Sequence, residues 1–285
     1  MRKKIIAVVF AIFTLLVAGY ARAEYEVVFS RKAQKSWLEA KKNLPVRLLS
    51  ILRYRYKDQY GRSYEKSAEQ FGNGLVIGKF VITARHVVEN STKEEIADYL
   101  RKSKLTFNNL EILGEWYVLE YENSRFGGMD VLRLVFEDED NDVALLEFLT
   151  TSAIPPSLPV KIGNPKKLED GSFILMGGSP APLGRHFREG YVSSPAPLYP
   201  QLAPPVGHFR KGFYFGINMH VAKGDSGSPV FAIAENGSLE WVGIVVTLAS
   251  ASADIFTVSR ADAILDLVKE KTGADLRAVQ NPSPR

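Results

Sequence analysis

Cysteine is absent from the 285-residue sequence. A chain without cysteine forms no disulfide and offers no thiolate, so disulfide scaffolds and enzymes with a thiol nucleophile are excluded. Small exported domains of animals usually depend on disulfides, so an exported protein of this composition fits a bacterial periplasm or exterior better. The missing cysteine also argues against a lipid anchor behind the apolar N-terminus.

Apolar runs long enough to span a bilayer are lacking as well. The run at 5–18 has about 15 residues, whereas a membrane helix needs roughly 20. It follows basic residues at 2–4 and precedes Ala21-Arg22-Ala23, the small-x-small pattern that signal peptidase accepts. We therefore expect 1–23 to be a cleaved secretory signal and the chain's only contact with a membrane. Export to the periplasm or the exterior would follow, and an uncleaved anchor is the alternative.

Net charge of either sign is lacking once that signal is set aside. The signal carries four of the 36 Lys and Arg residues and no acid, which leaves 32 basic against 32 acidic residues. Net charge therefore does not indicate a nucleic-acid partner. The sequence also contains no metal-ligand spacing, phosphate-binding loop or flavin motif, so we expect neither a metal nor a cofactor.

Short runs with strand character, separated by turn residues, make up most of the sequence. The segment at 46–56 alternates in polarity, and Gly78-Lys79 joins two brief apolar runs as in a hairpin. Residues 61–70 have the composition of a polar loop, and 195–205 form a proline-rich one. Many short strands indicate an all-β protein made of two barrels or two sandwiches.

Three segments favour helices. The first lies at 30–43. The second lies at 91–104, where Thr92 followed three residues later by Glu95 suits a capping box. The third starts at Ser259, with Asp262 in the capping position and Gly273 at its end. The second of these helices falls between strand-like runs, whereas the other two lie before and after them.

The most specific pattern is Gly-Asp-Ser-Gly-Ser-Pro at 224–229, followed by an apolar run at 230–234. A serine hydroxyl is a poor nucleophile and needs a base, an exposed position and donors for the oxyanion it creates. The glycines permit a tight turn that exposes Ser226, and the N–H groups of Gly224 and Ser226 are natural donors. The alternative serine motif, Gly-x-Ser-x-Gly on a turn from a strand to a helix, fits poorly. Ser228 replaces its second glycine, and a strand rather than a helix follows.

A base for this serine must come from one of four histidines, which are His86, His186, His208 and His220. His86 follows directly on an apolar strand, a position in which an imidazole is held at a rim and stays reachable. The other three lack a comparable setting. We therefore expect His86 to be the general base.

A carboxylate must orient the imidazole and stabilise its charged form. The acidic cluster at 137–142 reads mainly as a solvated turn. Asp142 differs from Asp140, the alternative, because the apolar run at 143–146 follows it directly. That places the Asp142 carboxylate at the end of a core strand.

These residues occur in the chain order His86, Asp142, Ser226. Thr-Ala-x-His at 83–86, Asp-Val-Ala-Leu-Leu at 142–146 and the motif at 224–229 resemble the signature blocks of the trypsin-like serine protease family. The resemblance, strongest in the serine block, implies an all-β fold of two six-stranded antiparallel β-barrels with a C-terminal helix. It further implies a triad in the cleft between the barrels. Without cysteine, the chain is similar to a disulfide-free bacterial branch.

The resemblance implies a secreted serine endopeptidase that acts on proteins or peptides through an acyl-enzyme on Ser226. Its oligomeric state stays open. The expected domains are the signal at 1–23, an N-terminal extension at 24–45, the first barrel at 46–150, a linker at 151–159, the second barrel with its helix at 160–273, and a tail at 274–285. The extension could be a propeptide, an inhibitory cover or a docking helix.

Two departures from the family pattern bear on activity. Arg85 stands where the family has a small residue before the histidine, which makes that rim bulkier and more basic. In zymogen-type relatives a new N-terminus pairs with the acid before the nucleophile, here Asp225, but no Ile-Val-Gly-Gly start precedes Val46. Either Asp225 has an internal cationic partner, and the enzyme emerges active, or 24–45 is removed or rearranged.

Substrate preference is the least determined property. By the resemblance, His220 lies at the base of the substrate pocket, and Val246, Thr247 and Leu248 form its wall and pair with an extended substrate. No acid stands at the pocket base, so we expect a neutral or mildly polar pocket rather than a preference for Arg or Lys. A glutamate preference through His220 is the other option.

Two other functions stay possible on the sequence alone. One is a catalytically inactive binding module of the same fold, which the intact His86, Asp142 and Ser226 argue against. The other is an esterase on a different fold, which the order of the three residues argues against.

Overall fold

The computed structural model describes residues 31–43, 46–120, 129–149, 161–179, 186–195, 213–248 and 256–280. The strands in these ranges are β1 Val46–Asp58, β2 Ser63–Ile77, β3 Phe80–Thr83, β4 Phe107–Glu120, β5 Met129–Asp138, β6 Val143–Phe148, β7 Lys161–Ile162, β8 Phe173–Gly178, β9 His186–Ser194, β10 Tyr214–Asn218, β11 Pro229–Ile233, β12 Leu239–Leu248 and β13 Phe256–Arg260. The helices are α1 Arg31–Asn43, α2 Arg85–Val88, α3 Lys93–Lys102, α4 Ala261–Thr272 and α5 Leu276–Gln280. A 3₁₀ turn covers Pro165–Lys167.

The first six strands close into a barrel in the order β1-β2-β3-β6-β5-β4, with β1 paired to both β2 and β4. Val81, Ile82, Leu145 and Leu146 of β3 and β6 have no exposed surface. Because β3 runs antiparallel to β6, the segment after β3 and the segment before β6 emerge at the same end of the barrel. That end holds two of the three predicted catalytic residues.

The second barrel has the order β11-β8-β9-β10-β13-β12 and is closed by pairing between β11 and β12. The predicted fold of two six-stranded antiparallel β-barrels with a C-terminal helix is thereby confirmed. Strand β7 adds one feature that the sequence did not predict, because its two residues pair in parallel with the outer side of β12.

The polar loop predicted at 61–70 is wrong, because β2 begins at Ser63 and pairs with β1 from there to Gly74. Its inward face in this part carries only two apolar residues, Tyr64 and Ala68, so the alternation is weak. Both pack onto a small aromatic cluster, in which the Tyr64 and Tyr56 rings stack at 5.4 Å. The backbone pairing and this cluster hold a polar segment as a strand.

Helix α3 covers that cluster with Ile96 and Leu100, which are both buried. It starts as the sequence predicts. The Thr92 hydroxyl accepts from the Glu95 N–H at 3.2 Å, and the Glu95 carboxylate accepts from the Thr92 N–H at 2.8 Å.

The C-terminal helix α4 starts later than predicted, and Asp262 is not its cap. Strand β13 continues to Arg260, which still pairs with Gly243 and occupies the N-cap position. Asp262 therefore falls in the first helical turn, where it accepts from the Arg260 guanidinium at 2.9 and 3.1 Å. Gly273 ends the helix in the left-handed conformation with φ of 75°, as the sequence predicts.

Helix α1 lies against the second barrel. Trp37 is 8% exposed, and its ring meets Phe187 of β9 at 5.4 Å and Phe231 of β11 at 6.3 Å, both edge-on. The Lys41 ammonium sits 5.1 Å from the Phe187 ring and 5.2 Å from the Trp37 ring. This part of the N-terminal extension is a packed element of the fold.

No helix in the ranges described above is long and apolar enough to cross a bilayer. The predicted signal at 1–23, the linker at 151–159, most of the proline-rich loop at 195–205 and His208 lie outside the described residues.

Candidate active site

A cavity of about 330 Å³ opens between the two barrels. His86 and Asp142 line it from the first barrel, and Gly224 and Ser226 line it from the second. The structure thus brings the three residues predicted as a triad to one cavity, together with both residues predicted as oxyanion donors, Gly224 and Ser226.

His86 sits on α2, one turn of helix that begins two residues after β3 ends. Its Nδ1 lies 2.7 Å from Asp142 Oδ2, and its backbone N–H donates to Asp142 Oδ1 at 2.9 Å. The carboxamide of Gln70 in β2 donates to the His86 carbonyl, a contact that the sequence gave no signal for. With Nδ1 engaged as the donor to Asp142, Nε2 is left to accept a proton.

Asp142 is placed by a strained turn immediately before β6. Its φ is 49°, a left-handed conformation that aspartate tolerates better than most residues. Its side chain is 7% exposed, compared with 38% for His86, and its carbonyl accepts from the Arg85 N–H at 3.1 Å. Asp140, the alternative acid, is exposed and does not line the cavity.

Tyr214 of β10 reaches across from the second barrel to the acidic turn. Its hydroxyl donates to the Asp140 carbonyl at 3.3 Å. Burial, followed by the charges of Asp142, Asp138 and Asp140, raises the pKa of Tyr214 well above its ordinary range. The phenol therefore stays neutral and keeps its proton as a donor beside the proposed triad.

The turn that presents Ser226 is built on two glycines with positive φ, 96° at Gly224 and 78° at Gly227. A Cβ at Gly227 would lie 2.0 Å from the carbonyl oxygen of Asn73, so no larger residue fits there. Within the described residues, the N–H groups of Gly224 and Ser226 donate to no protein acceptor. Two free donors on one turn suit an oxyanion.

Asp225, between those donors, is fully buried and forms an ion pair with Arg188 of β9. Its Oδ2 also accepts from the Ala222 N–H at 2.7 Å. Of the two alternatives left open for Asp225, the structure contains the internal cationic partner. The sequence predicted such a partner as one alternative, but nothing in the local pattern around Arg188 distinguished it from the other basic residues of the chain.

A sequence comparison matches residues 72–244, more than half of the chain, to the family described as the trypsin-like peptidase domain. The chain belongs to this family. Among solved structures, the peptidase is similar to the HtrA-type protease AlgW with decapeptide, at 14% identity and a TM-score of 0.55, covering 86% of this chain and 67% of that one. It is also similar to the active form of the Rv3671c protease from M. tuberculosis, at 20% identity and a TM-score of 0.53, covering 84% and 86%. Likeness at these identities concerns the fold. The comparison with curated proteins gives no match.

The cavity of the peptidase has an apolar side. Val221, Ala222, Val245 and Val246 line it next to Ser226. Val246 was expected in the pocket wall, and Val245 and the pair at 221–222 were missed.

The placement of His220 at the pocket base needs correction. His220 is exposed and does not line the cavity, while its neighbour Val221 is 8% exposed and does. Successive residues after β10 face opposite ways, and the valine takes the inward position. Thr247 and Leu248 continue β12 beyond the cavity-lining residues, and their side chains lie outside the described part of the chain.

Arg85 lies at the first-barrel rim of the cavity, as the sequence indicates. Its guanidinium is 3.0 Å from Glu89 and 3.6 Å from Glu137, so two acids offset its charge. The rim is bulkier than in the family pattern but is not strongly basic. Among the described residues, no three His, Asp or Glu side chains converge as metal ligands would.

Proposed function

We propose that this peptidase is a serine endopeptidase with Ser226 as nucleophile, His86 as general base and Asp142 as the residue that orients and stabilises the imidazole. One observation carries the proposal. An imidazole held by a buried carboxylate at 2.7 Å lines the same cavity as a serine whose turn offers two free N–H groups.

The reaction follows from the roles of these groups. His86 Nε2 removes the Ser226 proton as Oγ attacks the peptide carbonyl carbon, and the N–H groups of Gly224 and Ser226 hold the resulting oxyanion. The imidazolium returns the proton to the leaving amine, which breaks the C–N bond and leaves an ester on Ser226. A water molecule deprotonated by His86 then cleaves the ester and restores the hydroxyl.

No maturation cut is required in this proposal. The ion pair between Arg188 and Asp225 supplies internally the positive charge that zymogen-type relatives obtain from a new N-terminus. Helix α1 packs on the second barrel through Trp37 and does not line the described cavity. We expect the chain beginning at Glu24 to be active as it stands.

The substrate in this proposal is a protein or peptide with an uncharged residue before the cleaved bond. The apolar surface of Val221, Ala222, Val245 and Val246 beside Ser226 supports a small or aliphatic side chain there. The similar HtrA-type protease AlgW was solved with a decapeptide, which supports a peptide as the substrate class. The sequence at 1–23 supports export as the setting of the reaction.

Hydrolysis of a peptide library by the chain beginning at Glu24 tests the proposal. We expect cleavage to disappear in Ser226→Ala and to fall by about 10⁴-fold in Asp142→Asn, which favours the wrong imidazole tautomer. His220→Ala serves as a matched control and should retain wild-type rates, since His220 does not line the cavity. Cleavage that survives Ser226→Ala would contradict the mechanism, and a folded wild-type chain that cleaves nothing would favour the inactive binding module.

A further inference from the structure

Asn73 is a fully buried carboxamide at the junction of the two barrels, on the part of β2 that faces the cavity turn. Its Nδ2 donates to the Gly224 carbonyl at 2.7 Å. Its Oδ1 accepts from the Ser179 N–H, just after β8, at 2.9 Å. One side chain of the first barrel therefore binds two backbone segments of the second.

The backbone of Asn73 is fixed as firmly as its side chain. Its N–H donates to the Ser226 carbonyl at 2.7 Å, and its carbonyl accepts from the Thr83 hydroxyl at 2.7 Å. A buried amide with all of these partners has no freedom to take another rotamer without leaving a polar group unpaired. Both the backbone and the side chain of Asn73 are thus fixed beside the turn that carries Ser226.

What Asn73 holds is the peptide unit between Gly224 and Asp225. The carbonyl of that unit accepts from Asn73, and its N–H donates to the Ala222 carbonyl at 3.0 Å. A peptide unit is planar, so fixing both ends fixes its orientation. The Gly224 N–H is separated from this fixed plane only by the two backbone torsions of Gly224.

Gly224 cannot hold its own N–H in place. At φ of 96° it adopts a conformation open to glycine, and glycine has no side chain to prevent rotation into other regions. If the plane of the next peptide unit were released, the Gly224 N–H could turn away from the cavity. The neighbouring Ser226 N–H would keep its orientation, because the Asp225 carbonyl in the same peptide unit accepts from the Ser228 N–H at 2.9 Å.

We propose that Asn73 is a positioning residue for the reaction, and that its Nδ2 donor keeps the Gly224 N–H aimed at the oxyanion. The inference rests on the proposed function, since it assigns a role within the same site. It also explains why a buried polar residue stands in β2 where an apolar one would pack without needing partners. The first barrel thereby contributes to the oxyanion site as well as supplying His86 and Asp142.

The test is Asn73→Asp, which keeps an acceptor for Ser179 and replaces the donor to the Gly224 carbonyl with an acceptor. Losing one oxyanion donor costs about 10²–10³-fold in kcat. We expect kcat on a peptide substrate to fall by about 10²-fold with KM nearly unchanged. Affinity for a peptide boronate, whose tetrahedral adduct places an oxygen in the oxyanion position, should fall in parallel, while affinity for the cleaved peptide product should not.

Ser50→Ala is the matched control. Ser50 is also fully buried in β1 and donates to Asn90 at 2.6 Å, so its loss removes a buried hydrogen bond of the same barrel away from the turn. It should leave kcat and boronate affinity unchanged. Should Asn73→Asp fail to fold, Asn73→Ala is measured in the same way, with folding checked by a cooperative thermal transition.

The possible results separate this inference from the proposed function. A wild-type chain that neither hydrolyses peptides nor binds the boronate would overturn the proposed function and this inference with it. An active wild type together with folded Asn73 variants of unchanged kcat would overturn the role of Asn73 alone. A rise in KM with unchanged kcat would also overturn it, because that pattern reports ground-state binding.

Discussion

Asp225 brings a negative charge into the interior of the second barrel, directly before the proposed nucleophile. It has no exposed surface, and the side chain of its partner Arg188 is 14% exposed. A buried carboxylate without a partner is costly, so the position of the Ser226 turn depends on this pair. The orientation of the Gly224 and Ser226 N–H groups on either side of Asp225 therefore depends on its ion pair with Arg188.

Arg188→Met keeps an unbranched, flexible side chain, although a shorter one, and removes its charge. We expect a loss of about 3–5 kcal/mol in the free energy of unfolding, because Asp225 is left buried and unpaired, together with a large fall in kcat. Urea denaturation and peptide hydrolysis measure the two effects. The double variant Arg188→Met/Asp225→Asn should regain most of the stability, since the buried charge is then gone as well.

Arg101→Met is the control for this prediction. Arg101 pairs with Asp98 on the exposed surface of α3, where an ion pair contributes about 0–1 kcal/mol. If Arg188→Met were no more destabilising than Arg101→Met, the account of Asp225 would be wrong.

At the scale of single residues, the sequence could predict residues that stand in a local motif but not partners that are far apart along the chain. His86, Asp142 and Ser226 could be chosen because each stands in a recognisable local pattern beside a strand. Arg188 lies 37 residues from Asp225, and Asn73 lies 151 residues from Gly224. Partners at such separations are brought together by barrel closure, so no local pattern marks them.

Helix α1 connects the N-terminal extension to the strand that carries Arg188. Trp37 packs against Phe187, and Phe187 immediately precedes Arg188 in β9. Successive strand residues face opposite sides, so the helix covers one face of β9 while Arg188 points to Asp225 on the other. The described part of 24–45 is therefore coupled through Phe187 to the strand that supplies the partner of Asp225.

Trp37→Ala should destabilise the protein by about 3–5 kcal/mol, the usual cost of removing a large aromatic side chain from a packed site. Leu38→Ala in the same helix is the control, because Leu38 is 59% exposed and should change stability by less than about 0.5 kcal/mol. Thermal unfolding of the chain beginning at Glu24 measures both. Equal melting temperatures for the two variants would show that α1 does not support the barrel.

Elements were predictable from the sequence where their pattern was strong. Strand β6 at Val143–Phe148 is apolar at every position except Glu147 and was located correctly, and the capping box placed the start of α3. The part of β2 from Ser63 to Gln70 was mistaken for a loop, because the backbone of β1 holds it rather than an apolar face of its own. Asp262 was misplaced because β13 pairing keeps the chain extended as far as Arg260.

At the scale of the whole molecule, the proposed site exists only where the barrels meet. The first barrel contributes the base, its carboxylate and the Asn73 carboxamide, and the second contributes the nucleophile and both oxyanion donors. Asn73, the Ser226 carbonyl and Tyr214 all make contacts that cross this junction. The two-barrel fold could be predicted from the family resemblance, whereas these contacts depend on how the barrels are packed.

The central claim is that Ser226 is an activated nucleophile in the chain beginning at Glu24, without a maturation cut. Intact-mass and peptide-level mass spectrometry after treatment with a fluorophosphonate tests it most directly, using the chain beginning at Glu24 with no proteolytic step. The account predicts one adduct per molecule, located on Ser226, and none in Ser226→Ala or His86→Ala. A folded wild-type chain that acquires no adduct, or one that is labelled equally well without His86, would contradict it.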